Sequence, residues 1–448
     1  MRVPQPDCRR GPGTFPRRSA AILPIVSRLI ASIIEMVAPA RLGRSFRFLL
    51  SATFINNVGD GIVLSAGPLL VASTTRDPLL VSMALLSERL PVFLFGVLGG
   101  AIADRFDRRR LVVIANVGRA IVLIALVATI ASGTINIAVV LAVLFILGTA
   151  ETFADSASST LLPGLVARED LGIANARLQG GFLLTNQLVA PPIGAFLFAA
   201  GMALPFAANA AAFALGALLV SRVVTSTKRE LGARSGLRSE MAEGFRWLMA
   251  HPPMRTLALT IFTFNVTFGA AWSVLVLYAG DRLGLDEVGF GFLITASAAG
   301  GLIGAVLYGR LERRFSLGNI MRGGLIIETL THLTLAITTL PAVAFGTLVL
   351  LGVHEFAWGT TSTVVRQRAV PDALLGRVGG VYRVANVGGL VIGTPIGGLL
   401  ARTFGITAPF WFGFIGSLVL VVVLWRQFQL IGDAGDAAPP TPDGVAGA

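Results

Sequence analysis

Polar residues in this chain come in short bursts, separated by long apolar runs. Twelve runs approach the roughly 20 residues that a helix needs to cross a bilayer: 47–74, 79–103, 111–131, 135–160, 173–200, 203–222, 256–280, 289–309, 319–338, 342–365, 374–401 and 406–427. Each is too long for a buried strand, so the pattern predicts an all-α integral membrane protein with twelve transmembrane helices. The bursts between runs alternate in charge. Even-numbered bursts hold Arg105, Arg108, Arg109 and Arg110; then Arg168; the segment from Arg222 to Arg255; Arg310, Arg313 and Arg314; and Arg366, Arg368 and Arg377. Odd-numbered bursts are nearly bare, as in Ser132-Gly133-Thr134, or acidic, as in Asp281 to Glu287. By the positive-inside rule the arginine-rich loops and both termini face the cytoplasm.

A second regularity lies at about half the chain length. Glu151 and Glu355 are 204 residues apart by their numbers, and the same offset pairs Gly148 with Gly352, Leu171 with Leu375, and Pro205-Phe206 with Pro409-Phe410. The charged loops pair at 205, Arg105 with Arg310. Six helices repeated once give two parallel six-helix bundles related by an axis along the membrane normal. The expected division is a basic N-terminal tail (1–45), a first bundle (46–222), a linker carrying an interfacial helix (223–255), a second bundle (256–428) and a disordered tail (429–448). The apolar residues of 237–249 fall at helical spacing opposite charges, which suits a helix lying on a membrane surface. Within 1–45, Arg28 interrupts the apolar stretch and no clear cleavage site follows, so a mobile tail, or a start at Met36, fits better than a signal peptide.

Composition sharpens this picture. Only 13% of residues are charged and 54% are hydrophobic, against about 25% charged in a soluble domain. The net charge of +12 resides in short inter-run loops, which argues for membrane orientation and against nucleic acid as a partner. Cys8 is the one cysteine and there are three histidines, so neither a disulfide nor a Cys- or His-rich metal site is expected. No phosphate-binding Gly-x-x-x-x-Gly-Lys loop occurs, nor a Gly-x-Ser-x-Gly or His-Glu-x-x-His motif, so neither ATP, another cofactor nor an enzymatic reaction is expected.

The loop Gly100-Ala-Ile-Ala-Asp104-Arg105-Phe-Asp107-Arg108-Arg109 resembles the signature loop of the major facilitator superfamily. Asp107 stands where that loop usually has glycine. A weaker copy follows at Gly309-Arg310-Leu-Glu312-Arg313-Arg314. Asn57-Val-Gly59-Asp60-Gly61, Leu162-Pro163 with Ala174-Asn175, Glu243-Gly244-Phe-Arg246-Trp247, and Gln367 to Pro371 with Gly376-Arg377 are similar to the bacterial branch that includes enterobactin and macrolide exporters. The resemblance implies a secondary transporter in the bacterial plasma membrane, working by alternating access as a monomer. It implies that Gly100, Asp104, Arg105, Arg108, Arg109, Arg310 and Arg313 gate the cytoplasmic side, with Asp104 near the start of the eleventh helix. It also implies that the first, fourth, seventh and tenth helices line the cavity.

Ionisable groups within a span are costly and mark function by default. In the cavity-lining runs these are Asp60, Glu151, Asp155, His354 and Glu355, with Asn265 the polar group of the seventh. Burial disfavours a charged carboxylate, so a carboxylate in an alternately wet and dry cavity can exchange a proton; His354 offers a second kind of proton carrier. Asp60 ranks first, since its helix offers no compensating charge. The arginine frequent in the fourth helix of proton antiporters has no counterpart, and Glu151 occupies that region. Glu88-Arg89 and Arg119 read as ion pairs that join helices, and Glu328 and His332, four apart in a peripheral ninth run, as local packing. Pro191, Pro192 and Gly194, and Pro395 and Gly397, read equally as bends with close helix contacts that let the halves rock and as the bent helices ordinary in membranes. The expected function is proton-coupled export of a small amphipathic molecule, drug or siderophore-like. A proton-coupled uptake symporter and a non-transporting membrane sensor are the alternatives.

Overall fold

The structure is a computed structural model that describes Glu35 and residues 39–224, 237–428 and 430–431. The expected N-terminal tail, with the exception of its last residues, part of the linker and nearly all of the C-terminal tail fall outside these. All regular structure among the described residues is helical. The first four runs are α1 (Gly43–Thr74), α2 (Pro78–Arg105), α3 (Arg108–Ala131) and α4 (Ile137–Leu161). The fifth is α5 (Leu171–Gly181) and α6 (Ala190–Ala200), continuous through a π-helical stretch at Phe182–Val189, and the sixth is α7 (Leu204–Ser221). The linker forms α8 (Leu237–Ala250). Then come α9 (Pro252–Trp272), α10 (Leu275–Asp281), α11 (Glu287–Arg314), α12 (Leu317–Ile337), α13 (Pro341–Ala369), α14 (Leu375–Phe404) and α15 (Ala408–Leu424).

Ten of the expected twelve runs form helical segments long and apolar enough to cross a membrane. The seventh is split, with α9 and α10 meeting at 41° around Ser273. The twelfth, α15, has 17 residues, one fewer than α7.

Local chemistry sets the ends of these helices. Asp107, Asn136, Asp286 and Ser316 each accept a hydrogen bond from the backbone N–H three residues on, at the starts of α3, α4, α11 and α12, satisfying one of the donors a helix start leaves free. The departure at Asp107 thereby has a physical reason: at 3.0 Å from the Arg110 amide, its carboxylate starts α3 where the family motif has glycine. Proline opens α7, α9, α13 and α15, where its missing N–H costs nothing. Gly133, at φ +68°, closes the turn between α3 and α4 in a backbone region that favours glycine.

Packing repeats as the sequence does. In the first half α1 lies against α6 and α7, α2 against α4, and α3 against α4 and α7. In the second, α9 lies against α14 and α15, α11 against α13, and α12 against α13 and α15. The halves meet through α2 with α14 and α6 with α11. In lipid such contacts depend on close packing at small residues. A Cβ on Gly148 of α4 would come 2.5 Å from the Glu88 carbonyl of α2, and one on its repeat mate Gly352 of α13 would collide with the Ser297 carbonyl of α11. Ser65 donates to the Pro191 carbonyl at 2.7 Å, and Ser273 to the Thr394 carbonyl at 3.3 Å, one in each half beside a proline.

The proline-containing runs stay helical through their prolines. The π-helical stretch precedes Pro191 and Pro192, which then occupy the first turn of α6, and α14 continues through Pro395. Gly194 packs on Ile62 and Ser65 of α1, and Gly397 on Ala270 of α9, each inside its own half. Other small residues carry the interface between halves: Gly291 of α11 against Ala195 and Pro191, and Gly398 of α14 against Ser82 and Leu79. These contacts lie toward the arginine-poor end, as do the inter-half ion pairs Arg76–Asp281 (3.4 Å) and Arg402–Asp77 (3.6 Å). The two halves are in contact at that end.

Candidate functional site

Between the halves lies a cavity of about 160 Å3. Val63, Leu64, Leu85, Leu144, Phe290 and Leu390 are among its apolar walls, and Phe268 and Trp272 of α9 form its aromatic side. Its charged lining residues are Glu88 and Arg89, consecutive on α2 and joined to each other at 3.1 Å. These two were expected to join helices; they pair with each other within α2 instead, and the pair lines the cavity. The sequence offered a signal for this, a charged pair near the centre of a 25-residue apolar run, but α2 was not among the helices expected to line the site.

One to two turns from the apolar floor, toward the arginine-rich end, sits a cluster of three charges. The Arg119 guanidinium of α3 lies 2.8 Å from Asp60 of α1 and 3.5 Å from Glu151 of α4. Arg119 is 5% exposed, Asp60 25% and Glu151 39%, so the cation is buried and the two anions reach toward water. The face of Phe213 on α7 backs the guanidinium at 3.9 Å, a favourable seat for a cation. Asp60 is therefore not uncompensated; its partner reaches it from α3. That guanidinium also stands beside Glu151, where the resemblance places an arginine on the fourth helix itself. Asp155, one turn further along α4, is exposed and takes part in neither ion pair.

The candidates of the second half separate. Glu355 accepts a hydrogen bond from Ser297 at 3.2 Å. His354, its neighbour on α13, turns the other way and is 2% exposed; its Nε2 lies 3.8 Å from Glu328 of α12. Glu328 in turn lies 3.5 Å from His332 Nδ1. The expected local pair of Glu328 and His332 is thus part of a buried trio. Asn265 is buried against Gly389 of α14 and donates to the Ile261 carbonyl of its own helix.

At the arginine-rich end, Arg108 donates to the Thr160 carbonyl at 2.9 Å and Arg109 to the Val223 carbonyl at 3.1 Å, tying the start of α3 to the ends of α4 and α7. Arg310 and Arg313 are exposed. The side chains of Gly100, Asp104 and Arg105 fall outside the described residues. The linker helix α8 docks on α14: Glu243 meets Arg377 at 2.6 Å, and Leu248 is buried beside Met254 and Leu257. A Cβ on Gly244 would come 2.7 Å from the Arg377 backbone, so glycine permits this docking.

Two helical halves facing each other across a partly charged cavity, in a chain of membrane-length helices, define a multi-pass membrane transporter. Residues 35–441 match the family described as transmembrane secretion effector, and the chain belongs to that family, within the major facilitator superfamily. It is 28% identical over 405 residues to the enterobactin exporter EntS of Shigella boydii serotype 4, covering 86% of this chain and 93% of that one. Among solved structures, a mutant of the nucleoside transporter NupG superposes with a TM-score of 0.72 at 13% identity, covering 86% of this chain and all of that one. A bacterial homologue of the iron transporter ferroportin in its inward-facing state gives 0.71 at 20% identity, covering 86% and 98%.

Proposed function

We propose that this protein is a proton-coupled exporter, moving a small amphipathic molecule across the bacterial plasma membrane by alternating access, with twelve spans in two six-helix halves. The carrying observation is the Asp60–Arg119–Glu151 cluster beside the cavity. Two carboxylates share one guanidinium, so the cluster reaches neutrality by taking up one proton, and an unbalanced charge in low dielectric is costly. A proton on Asp60 releases Arg119 to Glu151 alone and loosens the join between α1 and α3. A substrate reaching this region competes for the same groups. That exclusion is what antiport requires.

The cavity fits an amphipathic cargo: apolar and aromatic walls take a ring system, and Glu88 with Arg89 supplies one acceptor and one donor. Similarity to an enterobactin exporter supports outward movement of a siderophore-like compound. With the arginine-rich end placed in the cytoplasm by the positive-inside rule, closure at the other end makes this the form that loads from inside. Both termini are then cytoplasmic, and the gating role of Asp104 and Arg105 belongs to the opposite, outward-facing form.

Everted membrane vesicles with a pH-sensitive dye test this reading. Ethidium and enterobactin are added in turn to an energised, acid-loaded lumen. The expectation is dye recovery with at least one compound, lost in Asp60→Asn. Recovery of equal size in wild type, Asp60→Asn and Glu151→Gln would refute proton coupling through this cluster. Movement of compound into cells, down a proton gradient, would favour the symporter instead.

A further inference from the structure

The trio Glu328, His332 and His354 lies in the second half, away from the ion cluster that the proposed mechanism uses. Glu328 is 0% exposed and both histidines 2%. Both carboxyl oxygens and all four ring nitrogens lack a hydrogen-bond partner among the described residues, as do the neighbouring Thr331 hydroxyl and Trp358 indole N–H. One carboxyl oxygen faces His332 Nδ1 at 3.5 Å and the other faces His354 Nε2 at 3.8 Å. The separations are just longer than a hydrogen bond, so a small closing movement joins either pair.

The fold makes room for this arrangement. Glu328 and His332 are four apart on α12 and share one face. His354 reaches them because residue 324 is glycine: a Cβ there would lie 2.5 Å from His354 Nδ1. His332 occupies space that a side chain on Gly413 of α15 would fill. Among the described residues no compensating cation faces the trio. The facing part of α9 and all of α15 carry no ionisable side chain. On α12, Arg322 is turned to Trp425; on α13, Glu355 is turned to Ser297, and Arg366 and Arg368 sit in the last turn, against Tyr382 and Glu312. A lone carboxylate in such a place costs far more than a packed core returns. The trio is electrically neutral when it holds one proton, on the carboxyl group or passed to an imidazole whose charge the carboxylate then balances.

A small void lies beside it. At about 10 Å3 it is at the lower limit for one water; Thr331 and His332 are its polar lining, and Phe268, Trp272, Leu275 and other apolar side chains close the rest. Phe268, Trp272 and Leu275 also wall the main cavity. Trp272 stacks on Phe268 at 4.9 Å, and it is the last residue of α9, directly before the 41° break. A change of angle at the break moves the partition between the two spaces.

We propose that Glu328, His332 and His354 form a second proton-binding site, filled from the substrate cavity past Trp272. It rests on the proton-coupled reading above and deepens it: the proton is stored in one half while Arg119 answers to it in the other. Glu328 is the group that carries the proton, and the two imidazoles position it and take it over in turn.

Infrared spectroscopy of the purified full-length protein tests the site without any substrate. The expected result is a carboxylic C=O band that changes with pH, is missing in Glu328→Gln, returns displaced in Glu328→Asp, and shifts its pH range in His354→Asn. A band equally present in Glu328→Gln, or a Glu328 band that does not respond to pH, overturns the proposal. In proteoliposomes, Glu328→Gln is expected to keep ethidium counterflow but lose proton-driven accumulation by about tenfold, the scale of a coupling free energy. If Asp60→Asn abolishes driven accumulation and Glu328→Gln leaves it intact, the second site is refuted and the exporter reading stands. If wild type ignores the pH gradient altogether, the exporter reading falls, and the infrared result still decides whether the site binds a proton. Wild-type thermal melting of Glu328→Gln certifies that the variant is folded.

Discussion

The two halves share a skeleton and differ in their electrostatics. Each helix pairing in the first has its mate in the second, down to a serine donating to a carbonyl beside a proline, Ser65 to Pro191 and Ser273 to Thr394. Yet the first half places a buried arginine between two half-open carboxylates, and the second seals one carboxylate between two imidazoles with no cation. Repetition preserved what packing requires, namely glycines at close crossings and caps at helix starts. Charge is free to diverge, because it is not what joins the repeated helices. If both proposals above hold, the proton is bound in two distinct chemistries, one poised against a fixed positive charge and one not.

The largest expected effect comes from breaking the first cluster. Arg119→Met strands Asp60 and Glu151 side by side, and loss of one partner of a buried ion pair costs about 3–5 kcal/mol. The melting temperature in detergent should fall sharply, and Asp60→Asn in the same protein should recover part of the loss. No recovery in the double variant would mean that Arg119 serves packing against Phe213 rather than charge balance.

A smaller effect sharpens the comparison of skeletons. Gly148→Ala and Gly352→Ala each push a methyl into a carbonyl of the facing helix, and overpacking of this kind costs about 1–3 kcal/mol. Both should destabilise in melting experiments, Gly352→Ala the more, since its methyl lies deeper in the facing backbone, while Gly309→Ala, which meets nothing within 4 Å, should not. No loss at either position would show that these crossings do not depend on glycine.

Much of the skeleton was legible in the sequence. Length and apolarity of the runs marked the membrane helices, and the 204-residue offset announced the paired packing. Three features were hidden for physical reasons. The break at Ser273 carries no proline and so no local signal; it arises where α10 turns to pack Tyr278 against Leu335 and Phe410. The pairing of Asp60 with Arg119 joins residues 59 apart on different helices, and helix rotation, which decides such contacts, is weakly coded in runs that are apolar on nearly every face. The turning of His354 away from Glu355 follows from the 100° step between neighbours on a helix: the two cannot share one face, neither lines the cavity, and only the space opened by Gly324 says where His354 goes.

Next in size is the cap at Asp107. Asp107→Ala removes the acceptor at the start of α3, worth about 0.5–2 kcal/mol, and Ser316→Ala should act alike at α12. Their melting curves test whether the two signature-type loops are structurally equivalent. The smallest effect concerns the closed end. Arg76→Ala and Arg402→Ala remove exposed ion pairs between the halves, each worth about 0.2–1 kcal/mol. Spin labels on the 75–77 and 282–286 loops should report a modest rise in the population open at that end, and an unchanged distance distribution would show that Gly291 and Gly398 alone hold it shut.

The central claim is that cargo and proton exclude each other at Asp60, Arg119 and Glu151. The most direct measurement is proton release by purified protein in unbuffered detergent solution when ethidium or enterobactin is added, with binding followed by the fluorescence of Trp272 in the cavity wall. Wild type should release protons as the tryptophan signal saturates, and Asp60→Asn should bind and release none. Saturable binding by wild type with no change in solution pH would contradict the account.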